Sequence, residues 1–82
     1  MNIKESTLHQ IAARYILGED IEIKISGTET QLHCLQELLN VSRELKQTLD
    51  ENKNLEKVNF LIKEKKELTK QFQNLTGMTW FL

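Results

Sequence analysis

The chain has 82 residues, 39% of them apolar and 28% charged, with a formal charge of −1 at pH 7. That length makes one small domain, which buries roughly 60% of the surface its unfolded chain exposes, so association would help its marginal core. The composition is that of an ordinary soluble protein, with no bias towards disorder or membrane, and the near-neutral charge argues against a general polyanion binder.

No apolar run approaches the roughly 20 residues that a membrane-spanning helix needs. The opening Met1-Asn2-Ile3-Lys4-Glu5-Ser6 lacks the apolar block of a secretory signal, so a cytosolic protein without membrane insertion is expected. The single Cys34 has no internal disulfide partner, which fits a reducing compartment.

Ser6 or Thr7 can cap a first helix over 7–17. Within it Leu8, Ile11, Ala12, Tyr15 and Ile16 recur at steps of three and four, and Gly18 follows as a helix-ending residue. A helix this short must dock its apolar face on something. Tyr15 reads as core with its hydroxyl at the edge.

Ile21-Glu22-Ile23-Lys24-Ile25 alternates strictly, the pattern of a half-buried β-strand over 21–25. One strand cannot satisfy its own backbone. Its candidate neighbours are the tail at 78–82, the segment Asn2-Ile3-Lys4, or the same strand of a second subunit in a homodimer or higher oligomer.

Thr28 with Gln31 three residues later matches a capping box and starts a helix over 28–50. Leu35, Leu38, Ser42, Leu45 and Leu49 form its stripe. A second helix, starting at Asn52 or Asn54 and taken as 54–76, carries Val58, Leu61, Lys65, Leu68, Phe72 and Leu75. Between the stripes, Asp50-Glu51-Asn52-Lys53-Asn54 contains no apolar residue, so the two helices form an antiparallel hairpin. Ser42 can bond a carbonyl four residues back. Lys65 either snorkels to water or pairs with a first-arm carboxylate, with Glu37 at the right height. Gly77 is placed to end the second helix. The expected fold is therefore a single domain, mainly α with one short strand (α+β): a long helical hairpin with a short N-terminal helix and an aromatic tail.

Charge is unevenly spread: residues 1–41 hold three basic and six acidic groups, and residues 42–82 hold eight and six. Lys63, Lys65, Lys66 and Lys70 make the second arm mildly basic. With Glu64 and Glu67 among them, they read as a solvated, locally ion-paired face. His9, His33 and Cys34 fit no metal-ligand spacing and no nucleophile–base pair. The isolated glycines form no phosphate loop. No catalytic residue, metal or cofactor is therefore expected, and an enzyme is not the reading. A helix-turn-helix over 8–39 is disfavoured by the isoleucine segment and by Glu29 and Glu37 where a recognition helix would be basic.

Protein–protein interaction has better support, with Phe60, Trp80, Phe81, Ile21, Ile23 and Ile25 as candidate partner-binding residues. Phe60 lies off the stripe, beside Glu56, Glu64 and Glu67, so it is either exposed or buried by a third element. The aromatics of Thr79-Trp80-Phe81-Leu82 either staple the tail to its own core or anchor a partner.

The opening Met1-Asn2-Ile3-Lys4-Glu5-Ser6-Thr7-Leu8-His9-Gln10, the Lys/Asn/Ile-rich helices and the overall length resemble the lysis-inhibition accessory proteins of T-even phages. The resemblance covers the whole chain and carries no residue motif. It implies a phage protein in the host cytosol that binds the cytoplasmic segment of the holin and delays lysis alongside a periplasmic antiholin. The alternatives are a small nucleic-acid-binding regulator and a phage inhibitor of a host enzyme or defence signal.

Overall fold

The computed structural model describes residues 3–51 and 54–82, in a body of 38 × 25 × 19 Å. Among the described residues there are three helices, α1 (Glu5–Ile16), α2 (Glu29–Glu51) and α3 (Leu55–Thr76), and no strand. The expected α+β class is thus corrected to all-α.

Most helix ends follow from side-chain chemistry. At the start of α2 the Gln31 amide N–H donates to Thr28 Oγ1 at 3.2 Å, while the Thr28 N–H donates to Gln31 Oε1 at 3.0 Å. This reciprocal pair satisfies two donors that a helix start leaves free. Asn54 Oδ1 accepts from the Lys57 N–H at 3.1 Å and opens α3; the alternative start at Asn52 lies outside the described residues. Gly18 at φ 100° ends α1, with its own N–H on Tyr15 O and the Glu19 N–H on Arg14 O. That double bond pattern needs a left-handed residue, which glycine adopts without a Cβ clash. The start of α1 departs from expectation. Lys4 occupies the cap position without a side-chain bond, and Ser6 and Thr7 lie exposed inside the helix.

α2 and α3 pack as the expected antiparallel hairpin, and α1 packs on α2. One core joins Leu8 and Ala12 of α1, Leu35, Leu38, Leu39 and Leu45 of α2, and Val58, Leu61, Leu68 and Phe72 of α3. The stripes hold except towards their ends. Thr48 is buried where Leu49 was expected, and Leu49 is 56% exposed. Leu75 is also partly exposed, since the chain reverses at Gly77 and Trp80 enters the core.

The expected strand at 21–25 is an extended segment without ladder bonds. Among the described residues, its backbone bond runs from the Ile21 N–H to Glu19 O. Among the described residues no backbone bond links it to the tail at 78–82. Asn2, part of the third proposed neighbour, lies outside the described residues. The alternation itself is real: Ile21, Ile23 and Ile25 are half-buried, and Glu22 and Lys24 are exposed. Ile23 and Ile25 lie over Leu32, Leu35 and Leu39 of α2. A helix face selects every second side chain of an extended chain just as a sheet interior does, but supplies no backbone partner.

Three threonines close hydrogen bonds to carbonyls four residues back, Thr48 to Glu44, Thr69 to Lys65 and Thr76 to Phe72, at 2.7–2.8 Å. Ser42, expected to do the same, does not. Its Oγ is buried with no partner among the described residues.

Candidate functional site

The structure divides the six candidate partner-binding residues. Phe60 is 62% exposed and Phe81 is 74% exposed, so both are accessible. Trp80 is buried against Phe72 and His9, with ring centroids at 5.7 and 5.8 Å, and is spent on the protein's own core. The tail therefore staples itself with one aromatic and presents the next, which in turn lies edge-on to His9 at 5.2 Å. Ile23 and Ile25 pack onto the core and Ile21 is half-buried, while Glu22 and Lys24 are exposed.

Lys65 takes neither of its expected roles in full. Its Nζ donates to the backbone oxygen of Leu82, not to Glu37, which lies beside His33. Burial holds the Lys65 ammonium below the usual lysine pKa, because a charge loses hydration there.

Lys65 opens onto a groove of about 450 Å³ formed between α2 and α3 and lined by Leu45, Ile62, Lys65, Lys66, Thr69 and Lys70. No carboxylate lines it. Sequence spacing suggested that Glu64 and Glu67 pair with these lysines, yet Lys66 and Lys70 make no ion pair among the described residues. Glu64 and Glu67 instead border a separate shallow groove beside Phe60 and Lys63. Leu49 lies one turn beyond Leu45, and Leu55 two turns before Ile62, on the same helix faces. Both are exposed, Leu55 at 80%. They lie near the end of α2 and the start of α3, outside the residues that line the groove. Ile62 and Leu55 were missed in the sequence because they fall off the core stripe. Their seven-residue spacing, with Lys66 four residues beyond Ile62, was the available signal.

A second, polar cleft lies where α1 ends against the hairpin, lined by Tyr15, Asn40, Arg43, Glu44, Gln47, Thr48, Glu51 and Lys57. Here several side chains bond one another, while Arg43 Nε is buried with no partner among the described residues. Tyr15 donates its hydroxyl proton to Asn40 Oδ1 at 3.0 Å, and the Arg43 guanidinium lies 4.7 Å above the Tyr15 ring. Arg43 Nη2 donates to Gly18 O at 3.2 Å, and Glu44 pairs with Lys57 at 3.0 Å across the two helices. This cleft locks α1 and the following turn onto α2.

Cys34 is buried with its thiol donating to Leu68 O at 3.6 Å, so it faces α3 and not solvent. Burial, with Glu37 adding to it, pushes the thiol above its ordinary pKa, the opposite of an activated nucleophile. Among the described residues no three His, Cys, Asp or Glu side chains are grouped to hold a metal ion, and no helix is long and apolar enough to cross a membrane.

The arrangement offers two exposed aromatics and one cationic, apolar-floored groove on a closed helical core. Comparison with protein-family models, curated proteins and solved structures finds no match to this chain.

Proposed function

We propose that this protein acts by stoichiometric binding, as a cytosolic phage accessory protein that holds the cytoplasmic segment of a holin and delays lysis. The observation that carries the binding reading is that large apolar side chains, Leu55, Phe60, Ile62 and Phe81 among them, are left outside a closed core. Large exposed apolar side chains on a small, otherwise charged protein are candidate docking points. The holin as partner comes from the resemblance to lysis-inhibition accessory proteins.

Binding one assembly state of the holin more tightly than another would shift its oligomerisation by that difference in affinity. Calorimetry with the holin's soluble cytoplasmic segment at micromolar concentration tests the reading. Saturable heat near one-to-one stoichiometry is expected, and the absence of heat at that concentration overturns it.

A further inference from the structure

We propose that the lysine-rimmed groove across α2 and α3 is the docking site for an acidic amphipathic helix of a partner protein. The inference rests on the binding reading above only for which protein supplies that helix. Leu45 and Ile62 form an apolar floor, and Lys66 and Lys70 stand over it without an ion pair. Lys65 adds a third ammonium, already partly desolvated and held by Leu82. From Ile62 to Lys70 the lined face of α3 runs about 12 Å at roughly 1.5 Å per residue, a little over two helical turns.

These features select the occupant. An amphipathic helix presents apolar anchors at spacings of three, four and seven, which suits the apolar floor of Leu45 and Ile62. Its flanking carboxylates meet the lysines. A purely apolar helix would bury ammoniums without partners, which is costly, and a basic one would be repelled. A phosphate backbone would engage the lysines but leave the apolar floor unused. A flat anionic membrane fits a concave groove between two helices less well than a rod does.

The test uses the full chain and a fluorescein-labelled synthetic four-turn peptide, with leucines at helical spacing and glutamates elsewhere, read by anisotropy. Its counterpart carries lysine in place of every glutamate. The acidic peptide should bind, weaken as salt rises, and lose about tenfold or more in affinity against the double variant Lys66→Glu/Lys70→Glu. Equal binding of both peptides, or an affinity within about twofold in the double variant, overturns the proposal. So does co-sedimentation with phosphatidylglycerol vesicles, or a change in sedimentation of the pure double variant, where the acidic peptide fails to bind.

Both lysines are exposed, so folding should persist. Should circular dichroism show lost helix, Lys66→Gln/Lys70→Gln carries the same test. The two proposals separate cleanly. Holin-segment binding that the double variant leaves unchanged removes the groove assignment and keeps the holin. Acidic-peptide binding without holin binding does the reverse.

Discussion

The Trp80 ring packs edge-on to Phe72, 5.7 Å between centroids and 76° between planes, and so anchors the segment after α3 to the centre of the molecule. Phe72 has no exposed surface at all, and Trp80 has 5%. Trp80→Ala should therefore cost about 3–5 kcal/mol, the range for deleting a buried large aromatic. Phe81→Ala, one residue later and mostly exposed, should stay within about 0.5 kcal/mol of the parent. Urea denaturation of the two variants decides it: equal losses would mean the tail is not anchored through Trp80 alone.

Ser42 offers a test of the opposite sign. A buried hydroxyl without a partner carries a desolvation penalty of about 1–3 kcal/mol, and its Oγ has none among the described residues. Ser42→Ala should raise stability by about 1 kcal/mol. Thr48→Ala, which removes a hydroxyl bonded to Glu44 O, should lower it. A thermal melt in which Ser42→Ala is the less stable protein would show that the Ser42 hydroxyl is satisfied.

The Cys34 thiol gives a pH dependence. Burial raises its pKa in the fold, so the folded state holds this proton longer than the unfolded chain does. The associated stability is complete below the ordinary thiol value of about 8.5 and is lost as pH rises through the raised folded value. Lys65 has the opposite sign, because its depressed pKa makes stability rise towards about pH 10.4. Subtracting the stability of Cys34→Ala cancels Lys65, which both proteins carry. The difference between parent and variant should fall as pH climbs above about 8.5. A flat difference up to pH 10.4 would falsify the burial account.

The isoleucine segment can be separated from a strand by hydrogen exchange. Amides of Glu22, Ile23, Lys24 and Ile25 have no backbone acceptor among the described residues, so they should exchange far faster than those of Leu35 and Leu38 beneath them. Ile23→Ser should still cost about 1 kcal/mol, since a half-buried isoleucine loses part of its packing. Slow exchange at 22–25 would indicate strand pairing with another chain.

Much of the local structure was legible because its causes are local. The capping pair Thr28–Gln31, the cap at Asn54 and the left-handed glycines 18 and 77 act within a few residues of themselves. The stripes through Leu38 and Leu68 likewise follow from helical period alone. The candidate site was only half visible. Phe60 and Phe81 were named, while the groove was hidden because Lys66 and Lys70 were assigned to Glu64 and Glu67, and only side-chain positions show those pairs unmade.

Alternation at 21–25 determined that every second side chain would be buried, and nothing more. Only the tertiary structure decided that the burying surface is α2, because a period of two reports burial and carries no information about what supplies it. The tail is the same case. Its composition left open whether an aromatic goes inside or anchors a partner, and the tertiary structure puts Trp80 in and leaves Phe81 out after the turn at Gly77. Ranges of three or four residues along the chain were set by the chain itself, and contacts between distant segments were set by which faces the hairpin left open.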